Sequence, residues 1–250
     1  MRRFASFDGV EIAYDVIGEG DPVVLHHGFA SDSRTNWVRP GVAAAIVADG
    51  RQVVLVDARG HGESGKPHDP AAYANGAMAD DVRSLLDLLG LEWVDFVGYS
   101  MGAFVAMRLA AVEPRLHSVV LGGAGLGQMR RWRPEQSREI AAALETSDPA
   151  TIESPMARAF RKFADATGAD RLALAAVQRA GRPVPGPEDL GRIAVPALVV
   201  NGVSDTLAGP PEALAGLIPG ARSESVPGDH LSAVVQSEFR QAIVTFLDSL

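Results

Sequence analysis

Cysteine is absent from the 250-residue sequence, and lysine is nearly absent, with only Lys66 and Lys162. Without cysteine the chain can form neither disulfides nor thiolate metal sites. Long hydrophobic runs are missing too. No stretch approaches the roughly 18 apolar residues of a membrane span, and the first residues lack the apolar core of a signal peptide. These absences predict a cytoplasmic protein without a membrane span.

Positive charge is scarce relative to negative charge. The chain carries 23 Lys and Arg against 31 Asp and Glu, a formal net charge of −8. This balance argues against nucleic acid as a partner, because proteins that bind it present a basic face. A chain of this length can bury a large core, so we expect a single domain over residues 1–250. No pattern in the sequence predicts an oligomeric state.

Short apolar runs alternate with helical patterns along the chain. Continuous apolar runs, typical of buried parallel strands, occur at 22–28, 52–62, 93–98, 117–123 and 195–202. The run at 10–17 alternates with period two, which predicts a half-exposed strand. Helical patterns separate these runs, and the alternation predicts an α/β fold. Over 124–188 only helical patterns occur, which indicates a helical insertion between two strands of one sheet.

A serine stands between two glycines where a strand pattern meets a helical pattern. The segment Gly98-Tyr99-Ser100-Met101-Gly102 matches G-x-S-x-G, in which a sharp turn exposes the serine hydroxyl. The glycines allow a tight crossing of the two elements. The N-terminus of the following helix would direct N–H groups at a developing oxyanion. We therefore predict that Ser100 is a nucleophile and not a structural serine in a turn.

A nucleophilic serine needs a base, and the base needs a group that orients it. Of the two histidines after Ser100, His117 begins a strand pattern, whereas His230 lies in a loop before the last helix. Asp205 follows the last long strand pattern, while Asp229 is adjacent to His230 and would point away from it. We predict that His230 is the base and that Asp205 fixes its tautomer.

An acyl-transfer site also needs two donors for the oxyanion. One is the N–H of Met101, the residue after the nucleophile, and the other is expected in the loop after the strand at 22–28. We assign this second donor to the Phe29 N–H and expect His27 to hold the shape of the loop.

The polar segment Asp57-Ala58-Arg59-Gly60-His61-Gly62-Glu63-Ser64 combines possible metal ligands. We predict no metal there, because no further cluster approaches the spacing that a metal site requires. Arg59 is expected to pair with Asp57, and His61 is expected to brace the turn.

These motifs, in this order, resemble the α/β-hydrolase superfamily, in its serine esterase and lipase branch. The segments that carry the resemblance are HGF at 27–29, DARGHGESGKP at 57–67, GYSMGA at 98–103, NGVSD at 201–205 and PGDH at 227–230. The resemblance implies a mostly parallel eight-stranded sheet flanked by helices, with an antiparallel second strand and a helical cap over 124–188. It also implies the triad Ser100, Asp205 and His230. His26 departs from the pattern, since relatives usually carry an aliphatic residue just before the His-Gly pair.

The family also contains dehalogenases and epoxide hydrolases, whose nucleophile is an aspartate. Ser100 argues against both activities and favours cleavage of a small-molecule carboxylic ester through an acyl-enzyme, without a cofactor. Hydrolysis of lactones, thioesters or carbon–carbon bonds, perhydrolysis and acyl transfer use the same triad and stay open. A ligand-binding protein on the same fold, with little turnover, is the alternative of another class.

The substrate pocket is expected to be apolar and to accept a small to medium acyl group. Candidate lining residues are Trp37, Met129, Trp132, Met156 and Phe160. Helical spacing of such residues is also typical of packing between the insertion and the core.

Overall fold

The computed structural model describes residues 1–131, 133–181 and 184–250. Its strands are β1 (Arg2–Ala5), β2 (Glu11–Ile17), β3 (Pro22–His26), β4 (Gln52–Val56), β5 (Val94–Tyr99), β6 (Leu116–Gly122), β7 (Ala197–Gly202) and β8 (Arg222–Val226). They form one eight-stranded sheet in the order β1-β2-β4-β3-β5-β6-β7-β8. Strands β3 to β8 run parallel, while β2 pairs antiparallel with both β1 and β4. The predicted sheet is therefore confirmed, including its antiparallel second strand.

Helices flank this sheet and connect its strands. They are α1 (Val42–Ala48), α2 (Ala77–Leu89), α3 (Met101–Ala110), α4 (Leu126–Arg131), α5 (Pro134–Glu145), α6 (Pro155–Thr167), α7 (Arg171–Ala180), α8 (Pro187–Gly191), α9 (Pro211–Ala215) and α10 (Ser237–Leu247). Short 3-10 helices lie at Pro70–Gly76, Pro149–Thr151 and Ala233–Val235. Among the described residues, no helix combines the length and the apolar character that a membrane crossing requires.

The continuous apolar runs form strands because both faces of the sheet are covered. All residues of β3, β5 and β7 are buried. One hydrophobic cluster includes Leu85, Phe96 and Leu109, and a second includes Leu25, Ile46 and Phe239. Burial of this kind contributes about 25 cal/mol per Å² of apolar surface, which makes these two layers the main source of stability.

Helices α4 to α8 all lie between β6 and β7 in the chain. Helices α6 and α7 both pack on α5, around a third hydrophobic cluster that includes Ile140, Ala164 and Leu174. Ala30, from the loop after β3, belongs to the same cluster. The inserted helices are therefore anchored on the loop that follows β3.

Candidate active site

Ser100 lies on the sharp turn that joins β5 to α3. Its backbone has φ 50° and ψ −106°. Non-glycine residues rarely adopt a positive φ, and such strain costs roughly 1–3 kcal/mol. The Ser100 N–H donates a 2.8 Å hydrogen bond to the Gly122 carbonyl at the end of β6, which helps to hold the turn. The half-buried hydroxyl is thereby fixed at the carboxyl edge of the sheet.

Two glycines permit this turn by close backbone contact. A Cβ on Gly98 would lie 2.2 Å from the Gly102 carbonyl oxygen, and a Cβ on Gly102 would lie 2.0 Å from the His26 carbonyl oxygen. Both clashes involve backbone atoms, which cannot rotate away as a side chain can. The two glycines therefore allow β3, β5 and α3 to meet beside Ser100.

The His230 imidazole bridges Ser100 and Asp205. Its Nε2 lies 3.0 Å from Ser100 Oγ, and its Nδ1 lies 2.8 Å from Asp205 Oδ2. The other Asp205 oxygen accepts hydrogen bonds from the N–H groups of Leu207 and Ala208. A carboxylate held in this way accepts the Nδ1 proton, which leaves the Nε2 lone pair free to accept the serine hydroxyl. The structure thus brings the three predicted residues together.

The competing acid and base are engaged elsewhere. The Asp229 carboxylate accepts hydrogen bonds from the Ser232 hydroxyl and from the N–H groups of Leu231 and Ser232. These bonds, the Ser232 hydroxyl first, lower the pKa of Asp229 and close the loop before Ala233–Val235. His117 is exposed at the start of β6, with Nδ1 3.1 Å from Asp95 Oδ1.

Two backbone N–H groups beside Ser100 make no hydrogen bond within the described part of the chain. They belong to Phe29 and Met101, the predicted oxyanion-hole donors. Met101 is the first residue of α3, where helix geometry leaves N–H groups unpaired. The Phe29 loop lies against the serine, since a Cβ on Gly28 would be 3.5 Å from Ser100 Cβ. Free donors on both sides of a serine can stabilise an oxyanion.

Neighbouring side chains hold the Phe29 loop from both ends. Asn36 Oδ1 accepts the Gly28 N–H at 3.0 Å. The Thr167 hydroxyl, at the end of α6, donates to the Ala30 carbonyl at 2.9 Å. The loop that carries the Phe29 donor is therefore fixed both by the core and by the inserted helices.

Three buried histidines, His26, His27 and His61, underlie this loop. The Ala58 N–H donates to His27 Nε2 at 3.0 Å, so the His27 proton sits on Nδ1 and is donated to the Gly28 carbonyl at 2.8 Å. His27 therefore holds the loop shape, as predicted. Burial lowers the pKa of His26 and of His61 to about 3, which keeps both imidazoles neutral at neutral pH.

The polar turn after β4 differs from our prediction. Arg59 does not pair with Asp57: its guanidinium is fully buried and bonds to the carboxylates of Asp81 and Asp8. The Asp57 carboxylate instead accepts two backbone N–H groups at 2.8 Å each. His61 does brace the turn, with Nδ1 3.0 Å from the Arg59 carbonyl. Within the described ranges, no cluster of three or more His, Asp and Glu residues is arranged to hold a metal ion.

A cavity of about 320 Å³ opens beside Ser100 and is lined by α3, α7 and the Phe29 loop. Of the residues predicted to line the pocket, Phe160 does so, and its ring lies 5.6 Å from the Phe29 ring. Most of the wall is apolar, with a few buried polar side chains. The cavity gives a substrate direct access to the serine hydroxyl.

Three other residues predicted to line the pocket lie outside the wall of this cavity. Trp37 has no exposed surface and packs into the core against Tyr99. Met129 and Met156 pack against hydrophobic clusters and do not line the cavity. Each of these apolar side chains packs against other side chains. The spacing of apolar residues along a helix is the same for packing as for lining a pocket, so the sequence alone does not distinguish the two. Trp132 lies outside the described residues.

Tyr99 and Asn36 contribute to the site but were not predicted. The Tyr99 hydroxyl donates to the His230 carbonyl at 2.7 Å, and its ring lies 5.8 Å from the imidazole. Tyr99 stands inside the G-x-S-x-G segment, so its place beside the serine was readable from the sequence. Its contact with His230 was not readable, because the two residues are 131 positions apart.

Comparisons with known proteins agree with this architecture. Residues 21–180 match the family described as alpha/beta hydrolase fold. A hydrolase from Pseudomonas aeruginosa PA01 superposes with a TM-score of 0.81 at 30% identity, covering 98% of this chain and 97% of that one. A thermophilic esterase from Thermogutta terrifontis superposes with a TM-score of 0.78 at 26% identity, covering 99% of this chain and 98% of that one. The enol-lactonase from Burkholderia xenovorans LB400 superposes with a TM-score of 0.76 at 26% identity, covering 99% of this chain and 100% of that one.

Curated relatives match over shorter stretches. They align over 92 to 180 residues, and this chain spans 28% to 46% of their length. The family match covers more than half of the chain, and the sheet order and strand directions agree with it. This chain therefore belongs to the α/β-hydrolase family.

Proposed function

We propose that this protein is a serine hydrolase that cleaves small to medium carboxylic esters through an acyl-enzyme. The observation that carries the proposal is the hydrogen-bonded series Ser100–His230–Asp205, with distances of 3.0 and 2.8 Å. The unpaired N–H groups of Phe29 and Met101 beside the serine add support. The similarity to an esterase at 26% identity points to the same chemistry.

In the proposed reaction, Ser100 Oγ attacks the ester carbonyl carbon while His230 Nε2 takes its proton. The Phe29 and Met101 N–H groups stabilise the oxyanion of the tetrahedral intermediate. His230 then gives its proton to the leaving alcohol, and the acyl group stays on Ser100. Water attacks this acyl-enzyme with His230 again as base, while Asp205 remains ionised throughout.

Residues 124–188 would act as a cap over this reaction. Helices α6 and α7 carry part of the cavity wall, including Phe160 and Val177. A wall of this kind would bury an apolar acyl group and select substrates by size.

The test is turnover of para-nitrophenyl esters of increasing acyl length by the wild type and Ser100→Ala. We expect Ser100→Ala to lose about 10⁴-fold or more in kcat, because the reaction loses its nucleophile. Ser223→Ala, at an exposed position on β8, is the matched control and should keep wild-type turnover. Equal turnover by Ser100→Ala and the wild type would refute the proposal.

Lactone hydrolysis is the second candidate, favoured by the similarity to an enol-lactonase at 26% identity. A lactone is an internal ester, so the same residues would act and the leaving alcohol would remain attached to the acyl group. A panel of lactones beside open-chain esters of equal carbon number distinguishes the two. A protein that is neither labelled at Ser100 by a fluorophosphonate nor active on either panel would instead be a binding protein on this fold.

A further inference from the structure

The cavity beside Ser100 follows one face of α3. The α3 residues that line it are Met101, Phe104, Val105, Met107 and Arg108, and the lining continues just beyond the helix with Ala111 and Val112. From Ser100 to Arg108 a helix rises about 12 Å, which is the length of roughly ten extended single bonds. The cavity therefore has the length for a medium acyl chain with its carbonyl at the serine.

Several polar side chains interrupt the apolar wall, and most of them have partners in the protein. The Tyr73 hydroxyl donates to the Pro67 carbonyl, and Gln128 Oε1 accepts the Gly125 N–H. At the exposed mouth, Arg108 donates to the Asn75 carbonyl. Asp189 accepts the Gly186 N–H there, and Ser137 also has an interaction of its own. Each of these side chains therefore has at least one partner within the protein.

Gln178, on α7, is the exception. It lines the cavity and is only 6% exposed. Its side-chain amide makes no hydrogen bond to any residue in the described ranges. Folded proteins pair nearly all fully enclosed polar groups, whereas this amide faces the cavity, where a ligand or water can take up its hydrogen bonds. The adjacent Val177 lines the same wall and is apolar, so the Gln178 amide is a polar group without a described protein partner on a mostly apolar wall.

We infer that Gln178 selects substrates whose acyl chain is apolar but carries one carbonyl or hydroxyl oxygen along its length. The amide N–H₂ would donate to a substrate carbonyl, and the amide oxygen would accept from a substrate hydroxyl. A plain alkyl chain would leave the amide unpaired and displace any water from it. The inference rests on the proposed function, since it assumes that Ser100 takes up the acyl group.

The experiment compares para-nitrophenyl octanoate with a series of oxo-octanoates whose carbonyl is moved stepwise away from the ester. We expect the wild type to prefer at least one oxo ester over octanoate by about tenfold or more in kcat/KM. Gln178→Leu and Gln178→Met should lose this preference and turn over plain octanoate at least as fast as the wild type. Both variants should also unfold at a temperature close to that of the wild type, because the amide makes no hydrogen bond within the described residues.

Gln241→Leu, on the exposed face of α10, makes the same chemical change away from the cavity and should keep the wild-type preference. Fluorophosphonate labelling of Ser100 reports on the catalytic machinery separately. Labelled, active enzymes with the same oxo-to-alkyl ratio in the wild type and Gln178→Leu would overturn the role of Gln178 alone. An absence of both labelling and ester turnover in the wild type would overturn the proposed function with it.

Discussion

Among single residues, Tyr99 joins the serine turn to the histidine loop. Its side chain is almost fully buried, and its ring packs edge-on against Trp37 and Phe239. The hydroxyl donates to the backbone carbonyl of His230 rather than to its imidazole. Tyr99 is therefore a positioning residue, which fixes the height of the His230 backbone over Ser100.

Tyr99→Phe should lower kcat by about three- to tenfold with little change in KM. The substitution keeps the packed ring and removes one hydrogen bond, worth roughly 0.5–1.5 kcal/mol, to the backbone of His230, the proposed base. The rate of fluorophosphonate labelling at Ser100 should fall in parallel, because it depends on the same base.

Tyr14→Phe, on β2 and buried against Phe4, is the matched control for this change. It lies on the second strand of the sheet, away from the serine turn, and should leave kcat unchanged. A purely structural role of the Tyr99 hydroxyl would lower the stability of Tyr99→Phe without altering labelling, and would contradict the prediction.

At the level of secondary structure elements, the sequence predicted the strands whose residues are buried on both faces. It did not predict features that depend on contacts between residues far apart in the chain. Strands β3, β5 and β7 were predictable because a strand covered on both faces must be apolar throughout. Strand β1 was not, because its residues, Arg2–Ala5, are mostly exposed at the sheet edge and carry no pattern. The proximity of Ser100, Asp205 and His230 was predictable because the parallel strands bring their carboxyl ends, and the loops that follow, to one edge.

The partner of Arg59 shows the same limit. Local reasoning paired Arg59 with Asp57, two positions away, whereas its main partner, Asp81, lies 22 positions along the chain on α2. Burial raises the pKa of Asp81, while the guanidinium lowers the pKa of Asp8. Arg59 thereby ties the turn after β1 and the turn after β4 to α2.

Arg59→Met should destabilise the protein by about 3–5 kcal/mol, measured by urea unfolding at neutral pH. The loss arises because the buried Asp81 carboxylate is left without its cation. Arg59→Lys should restore little of it, since one ammonium cannot match the forked contacts to two carboxylates.

The exposed pair Arg3–Glu63 provides a control for the Arg59 variants. Its side chains are 48% and 65% exposed, so Arg3→Met should cost less than about 1 kcal/mol. If Arg3→Met and Arg59→Met lowered the free energy of unfolding equally, burial of the Arg59 ion pairs would add nothing to their contribution to stability.

For the molecule as a whole, buried neutral histidines make stability depend on pH. His26 and His61 each have a pKa of about 3 in the fold, against 6.5 when unfolded. Between these values the unfolded chain binds protons that the folded chain does not. Stability is therefore lost as the pH falls from 6.5 towards 3, by up to about 1.4 kcal/mol per pH unit for each histidine.

His26→Leu should remove one of these two contributions. The imidazole makes only a 3.3 Å contact with the His27 carbonyl and otherwise stacks on His27 and Phe96, so leucine can replace it with little loss at neutral pH. Between about pH 6 and about pH 4.5, the wild type should lose about 2 kcal/mol more stability than His26→Leu in urea unfolding. Parallel losses in the two proteins over this range would mean that His26 already takes up its proton in the folded state. In that case the surroundings of His26 would tolerate a charged imidazole in spite of its burial.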